Sequence, residues 1–172
     1  SEVIAAMARV QLKKLDSFIK RQREIGLFLT KELRKIEGLE PAFVHPSCYH
    51  IYHRFAIKVN SEKLGISRDN LISAMSHEGF IMSKGYVKPM YLLSIFQNKK
   101  IYPTSSFPFI WEMHPNAPNY NHGICPVTEK LFENEFTFTD VCQYPFTLKH
   151  AKLFISAIEK ILERKHEITS FK

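Results

Sequence analysis

Apolar side chains in the first part of the chain recur at the spacing of an α-helix. They are separated by seven residues, or by three and four in alternation, and charged residues fall between them. The pattern predicts one helix over residues 2–36, with Gly38 at the position of a helix-terminating glycine. Ordinary globular helices run to roughly 8–20 residues, so we expect this one to bridge two bodies. The apolar positions that define it are Ile4, Ala8, Leu15, Phe18, Ile25, Leu29 and Ile36.

The hydrophobic period changes from helical spacing to two between residues 49 and 59. Alternate side chains there are apolar, which predicts a half-buried β-strand over 49–59. A second helix is predicted to begin after Ser67, a favourable N-cap residue, and to end at Gly79. Residues 49–79 are therefore expected to form a strand followed by a helix.

Residues 80–125 are predicted to form an irregular excursion. Prolines and asparagines interrupt every regular pattern, yet aromatic residues run through the same segment, which a flexible linker would not need. Ordered irregular segments of this length are uncommon in compact domains unless they are functional. The interrupting residues are Pro103, Pro108, Pro115, Pro118, Asn116, Asn119 and Asn121, and the aromatic ones are Phe107, Phe109, Trp111 and Tyr120.

Regular patterns return in residues 126–166. Pro126 suits the first position of a short helix, residues 136–139 alternate as a strand, and Thr147 can cap a final amphipathic helix. Together with the earlier elements, this order predicts one α+β domain over residues 1–172. We expect a long N-terminal helix and a small, mainly antiparallel sheet with helices on one face.

Composition and charge narrow the function classes. Apolar residues make up 45% and charged residues 24% of the chain, as in an ordinary globular domain. Nine basic and three acidic residues between positions 9 and 35 account for most of the net charge of +7. These charges fall mostly between the apolar positions of one helix, which favours a solvated helix surface over nucleic-acid binding, and nucleic-acid binding would be detectable by its salt sensitivity. No apolar run approaches the roughly 18 residues of a membrane span.

The chain has three widely separated cysteines. An odd number without a disulfide framework fits reduced thiols, and so predicts a cytoplasmic protein. With the charge pattern and the lack of a long apolar run, this predicts neither a nucleic-acid nor a membrane partner.

Residue types that bind metals or act as nucleophiles do not form a complete site. In a strand over residues 49–59, His50 and His53 would point to opposite faces and could not share one ion, so we predict no metal site. Cys125 with His122 or His114 has the residue types of a thiol nucleophile and its base, but nothing nearby in sequence would activate the thiol. Phosphate-binding loops and a G-x-S-x-G turn are absent. The densest ligand types are His45, Cys48, His50 and His53.

Six short motifs follow one another along the chain. They are SEVIAAMARVQLKKL at 1–15, YHIY at 49–52, GISRD at 65–69 followed by Leu71, EGF at 78–80, GYVKPMY at 85–91 and CPVTEK at 125–130. Their number and order resemble the motifs of the DegT/StrS family of sugar aminotransferases. The likeness runs from residue 1 to about residue 165, essentially the whole chain.

The resemblance implies a fold-type-I aminotransferase with pyridoxal phosphate (PLP) as cofactor. This chain would be its C-terminal small domain, and residues 1–36 would form the helix that leaves the N-terminal PLP-binding domain. The aldimine lysine of the family lies upstream, so we assign no catalytic or cofactor-binding residue here and expect the chain alone to be inactive and not to bind PLP. The parent enzyme would be a homodimer that transfers an amino group from an amino acid, most simply glutamate, to a keto-sugar nucleotide in polysaccharide biosynthesis.

The resemblance also implies that this chain supplies part of the nucleotide-sugar pocket. We expect the loop over residues 85–91 and one histidine to lie close together at one edge of the domain. Two lysines would be available to a diphosphate as point charges. The substrate-binding residues implied are His50, Tyr86, Tyr91, Lys84 and Lys88.

Two alternatives remain at this point. Tyr91 stands where many family members carry histidine, and a tyrosine hydroxyl can donate a hydrogen bond but does not titrate near neutrality. Tyr86 and Tyr91 could instead pack against the aromatic excursion. The chain as a whole could also be a non-catalytic binding or regulatory module that keeps the fold.

Overall fold

The computed structural model describes residues 1–110, 116 and 118–168, so Trp111, His114 and Pro115 lie outside the described residues. The helices are α1 (Glu2–Leu33), α2 (Ser61–Leu64), α3 (Arg68–His77), α4 (Ser94–Gln97), α5 (Pro126–Lys130), α6 (Leu148–Glu163) and α7 (Lys165–Ile168). The strands are β1 (Leu39–Pro41), β2 (Phe55–Val59), β3 (Met82–Lys84) and β4 (Phe136–Thr139). A 3₁₀ turn covers Met90–Leu92, and a π-helical turn over Leu131–Glu135 leads from α5 into β4.

The four strands form one antiparallel sheet in the order β1-β2-β4-β3. Its inner face is lined by alternate residues of β2 and β4, among them Ile57, which lies opposite Thr137. Both are buried, and the Thr137 hydroxyl donates to the Ser83 carbonyl at 2.9 Å, which satisfies its polar atom. One core joins this face to α1, α3 and α6. The predicted α+β fold class is confirmed.

The long first helix is confirmed, but it ends at Leu33 and not at residue 36. Its last turn tightens, because the Lys35 N–H bonds to the Glu32 carbonyl three residues back. Gly38, with φ of +92°, belongs instead to the turn that enters β1. A Cβ there would lie 2.8 Å from the backbone nitrogen of Leu64, so glycine is needed for close approach as well.

The strand predicted over residues 49–59 is wrong in its first half, because β2 begins only at Phe55. Tyr52 has φ of +52°, a left-handed conformation that cannot continue a strand. Its ring is buried against Gly26 of α1, where a Cβ would lie 2.3 Å from Cγ of Tyr52. Packing of this tyrosine on the helix therefore sets the path of residues 49–54.

The predicted starts of the later helices are confirmed. The Ser67 hydroxyl accepts from the Asn70 N–H at 3.1 Å to cap α3, and Pro126 opens α5. Thr147 caps α6 in a box completed by the side chain of His150. Each cap satisfies backbone groups that the first turn leaves without partners.

In the described part of residues 80–125, which leaves out 111–115 and 117, the excursion contains only short elements. One of them, β3, was not predicted, since three residues are too few to show an alternating pattern. Phe96, Phe109 and Tyr120 pack with ring centroids 5.3–6.0 Å apart. The Gln97 amide donates to the carbonyls of Tyr91 and Tyr120, both at 2.7 Å. These contacts give the excursion a small core of its own.

Candidate functional site

The segment that carries His50 is fixed against α1. The Arg23 guanidinium lies over the Tyr49 ring at 3.7 Å and donates to the His50 carbonyl at 2.5 Å. Tyr52, two residues after His50, is kept in its left-handed conformation by its buried contact with Gly26. Such a conformation costs about 1–3 kcal/mol and persists only where surrounding contacts impose it. The helix thus determines where this segment presents its side chains.

The His50 side chain is exposed, and its ring orientation is set by Tyr52. The two rings meet edge to face at 4.6 Å, and Nδ1 accepts from the Tyr52 N–H at 3.1 Å. In the neutral ring the proton therefore resides on Nε2. His50 accordingly has an N–H donor available to a ligand, as a binding residue needs.

Tyr86 lies on the outer face of the sheet, the face that α1, α3 and α6 do not cover. Its side chain is 66% exposed, and its ring meets that of Phe138 at 5.8 Å. The Arg54 guanidinium lies 5.0 Å from the Tyr86 ring and 4.4 Å from the Phe138 ring. Arg54 was not among the predicted site residues, although its alternation with the inward Phe55 placed it on this face.

Tyr91 is held in the excursion by a buried acid. Its hydroxyl donates to Glu129, which is 4% exposed and whose Oε1 also accepts from the Gly123 N–H at 2.8 Å. Burial, followed by the neighbouring Glu129, raises the pKa of Tyr91, whereas the hydrogen bond from Tyr91 lowers the pKa of Glu129. The hydroxyl of Tyr91 is thus already engaged within the protein. Its role in substrate binding stays a prediction.

His122 links the same acid to a second one. Its Nε2 lies 2.9 Å from Glu133 and its Nδ1 lies 3.6 Å from Glu129. The hydrogen bond to Glu133 and the charge of Glu129 raise the pKa of His122. Sequence reasoning considered His122 only as a base for Cys125. The structure instead shows it between two carboxylates.

The two predicted lysines differ in their surroundings. Lys84 is paired with Asp69 at 3.2 Å. Burial of Asp69 raises the pKa of its carboxyl, but bonds from Arg68 and Lys84 outweigh this, and the pKa is lowered overall. Lys88 is exposed on the loop. The carboxylate of Asp69 would therefore compete with a ligand for Lys84, whereas it does not contact Lys88.

The predicted site residues fall into three places on the structure. His50 makes its contacts with Tyr52 and α1, Tyr86 with Arg54 and Phe138, and Tyr91 with Glu129. Within the described part of the chain, no hydrogen bond, ion pair or ring contact joins His50 to the loop over 85–91. The segment from His50 to Arg54 connects the surroundings of His50 on α1 to those of Tyr86 on the sheet.

The described residues form neither a metal site nor a membrane-spanning helix. Among residues 1–110, 116 and 118–168, no group of three or more histidine, cysteine, aspartate or glutamate side chains is placed to hold a metal ion. Over the same residues, no helix combines the length and the apolar character that a membrane span requires.

Comparison with known proteins identifies a family to which most of this chain is similar. Residues 1–130 match the family model described as the DegT/DnrJ/EryC1/StrS aminotransferase family. The chain is similar to the spore coat polysaccharide biosynthesis protein SpsC of Bacillus subtilis (strain 168), with 31% identity over 116 residues. The similar region is 67% of this chain and 28% of SpsC.

Solved structures share the fold at lower identity. DesV of S. venezuelae, in complex with a ketimine intermediate, has a TM-score of 0.65 and 20% identity over 93% of this chain and 36% of DesV. The aminotransferase TlmJ from Streptoalloteichus hindustanus has a TM-score of 0.65 and 18% identity, covering 96% and 37% of the two chains. The PLP form of Spr1654 from Streptococcus pneumoniae has a TM-score of 0.64 and 17% identity, covering 95% and 36%. The chain thus spans about a third of the length of these structures.

Proposed function

Since this chain belongs to the DegT/DnrJ/EryC1/StrS aminotransferase family, we propose that it is the C-terminal small domain of a PLP-dependent sugar aminotransferase. The observation that carries the proposal is the family match over residues 1–130, which includes the segments that hold His50 and Tyr86. The enzyme transfers an amino group from an amino acid, most simply glutamate, to a keto-sugar nucleotide. We place this reaction in polysaccharide biosynthesis in the cytoplasm, and similarity to SpsC supports the first of these assignments.

The described residues of this chain do not fit the role of holding the cofactor. A lysine that forms a Schiff base is activated by desolvation or by a neighbouring cation. None of the lysines that the structure describes is buried, and they lie on the exposed surface or are half-buried. We therefore assign the cofactor and its chemistry to the PLP-binding domain of the enzyme and expect this chain alone to be inactive.

The chain's own contribution is to the sugar-nucleotide side of the pocket. Pockets for small molecules present a few fixed polar groups on a largely apolar wall. The outward donor of His50 and the exposed ring of Tyr86 have this character, and packing on α1 and on Phe138 holds both in place. We assign His50, Tyr86 and Lys88 to substrate binding directly. Tyr91 contributes to substrate binding indirectly, because its bond to Glu129 positions the loop over residues 85–91.

The first half of α1 supports a role between two domains. Residues 1–17 are all exposed, and Val3, Ile4 and Met7 are each more than 60% exposed. Apolar side chains grouped on a protruding helix usually mark an interaction surface. We propose that this surface packs on the PLP-binding domain, and that the enzyme works as a homodimer.

The proposal is tested on the enzyme as its native gene encodes it. The purified gene product is incubated with glutamate and a panel of keto-sugar nucleotides, and aminated products are identified by mass spectrometry. We expect one nucleotide sugar to be aminated, and a higher KM for it in the His50→Ala variant. If the purified protein neither binds PLP nor aminates any of these sugars, the result would favour the alternative that the chain is a non-catalytic binding or regulatory module.

A second test applies to the 172-residue chain alone. The chain is mixed with PLP and reduced with borohydride, and the modified peptides are mapped by mass spectrometry. We expect sparse modification spread over several exposed lysines. Stoichiometric modification of one lysine would contradict the assignment of the cofactor to the other domain.

A further inference from the structure

We propose that Arg54, which lies over the rings of Tyr86 and Phe138, is an oxyanion-binding residue that takes the diphosphate of the nucleotide sugar. This inference rests on the proposed function and names a residue of the same site. Sequence reasoning had given the diphosphate to Lys84 and Lys88. Arg54, on the outer face of the sheet, has a guanidinium group that is better suited than a lysine to binding the oxygens of a diphosphate.

The surroundings of Arg54 leave its charge available. Its Nε is buried and has no hydrogen-bond partner among the described residues, while the side chain as a whole is 37% exposed. Its partners in the described part of the chain are the two rings, at 4.4 and 5.0 Å, and Asp140, whose carboxylate lies 3.7 Å from Nε. A carboxylate at this distance offsets part of the electrostatic field of the guanidinium but makes no hydrogen bond with Nε. The guanidinium is therefore positioned without being saturated.

Other cations that the structure describes have different roles. Arg68 is buried and donates to backbone carbonyls, and Arg164 is paired with Glu167. Lys84 is paired with Asp69. Arg54 differs from these three in lying over two aromatic rings with no hydrogen bond to its Nε among the described residues, on the face where Tyr86 is exposed.

The chemistry of the guanidinium favours an oxyanion. It is planar, permanently charged and weakly hydrated, and its fork of donors matches two oxygens of a phosphate or carboxylate. Its contacts with the two rings limit the orientations of the guanidinium and reduce the hydration that a ligand would have to displace. The diphosphate of a nucleotide sugar presents such oxygens, and inorganic pyrophosphate is the simplest probe that carries the same group. Asp140 would then compete with the bound anion.

The inference is tested by calorimetric titration of the 172-residue chain with inorganic pyrophosphate. We expect saturable binding that weakens at least tenfold in Arg54→Gln and less in Arg54→Lys, which keeps the charge but loses the fork. Removal of the competing carboxylate in Asp140→Asn should strengthen binding severalfold. Arg164→Gln, which removes an arginine away from this face, is the matched control and should bind as the original chain does.

Two results would overturn the inference. One is the absence of saturable pyrophosphate binding, and the other is equal binding by the original chain and Arg54→Gln with unchanged unfolding midpoints. If Arg54→Gln does not fold, the Asp140→Asn and Arg54→Lys variants decide. Binding is measured here without PLP or turnover, so its failure is distinguishable from failure of the proposed transamination.

Discussion

Replacement of Arg68 by methionine should destabilise this domain far more than replacement of an exposed arginine. The Arg68 side chain is 4% exposed, and its guanidinium donates to the carbonyls of Phe132 at 2.7 Å and Glu133 at 2.5 Å. A third carbonyl, that of Phe136, lies at 3.3 Å. These bonds tie the first turn of α3 to the π-helical turn that leads into β4. Methionine keeps the apolar stem and loses every donor.

The size of the effect follows from the number of bonds. A hydrogen bond from a charged donor contributes about 1.5 kcal/mol or more, so the two short bonds to carbonyls together stabilise the fold by about 3 kcal/mol. The contact with Asp69 adds little, since that carboxylate is 50% exposed. With a urea m-value of about 2 kcal/mol/M, the unfolding midpoint of Arg68→Met should fall by roughly 1.5 M.

Urea unfolding followed by circular dichroism measures this difference. The control is Arg164→Met, which removes an ion pair with Glu167 whose partners are 59% and 47% exposed. We expect the control to lose no more than about 0.5–1 kcal/mol. Equal midpoints for the two variants, at an unchanged m-value, would refute the structural role assigned to Arg68.

Three further predictions concern other contacts. Gly26→Ala places a Cβ 2.3 Å from Cγ of Tyr52 and should cost about 1–3 kcal/mol, seen as a lower thermal midpoint, and an unchanged midpoint would contradict the packing described. Since Tyr91 lowers the pKa of Glu129, this acid stabilises the fold above its ordinary pKa, and that stability is lost as the pH falls through the lowered value. The stability gap between the original chain and Glu129→Gln should therefore narrow on acidification, and a gap independent of pH would count against this. Thr147→Ala removes the cap of α6 and should lose about 1 kcal/mol in urea unfolding, and no loss would mean that the box does not stabilise the helix.

The elements that could be predicted are those whose pattern is local and long. α1 and α6 present apolar stripes over many turns, and Ser67 and Thr147 cap their helices through neighbours three residues away. Periodicity and caps both act within one or two turns, which is the range that a single sequence displays. β1 and β3 have only three residues each, and their existence depends on pairing with β2 and β4.

The sequence motifs supplied the residues of the candidate site but not their contacts. The motifs drew attention to His50, Tyr86 and Tyr91, yet the bond from Tyr91 to Glu129 spans 38 positions of the sequence. No pattern within either segment indicates that the other will lie beside it. Arg54, for which we propose oxyanion binding, was not indicated by the motifs for a related reason, since its contact with Phe138 arises from the pairing of β2 with β4. Such neighbours are set by the tertiary fold alone.

α1 is continuous from Glu2 to Leu33, and this makes its two halves one rigid rod. Its second half is embedded in the core through Ile25 and Leu29, while its exposed first half projects for about 24 Å at 1.5 Å per residue. A domain that binds the projecting half of α1 would therefore set the orientation of the whole sheet relative to that domain. The ring of Tyr52 rests on this rod at Gly26. A small tilt of α1 would therefore shift the segment from His50 to Arg54 with it.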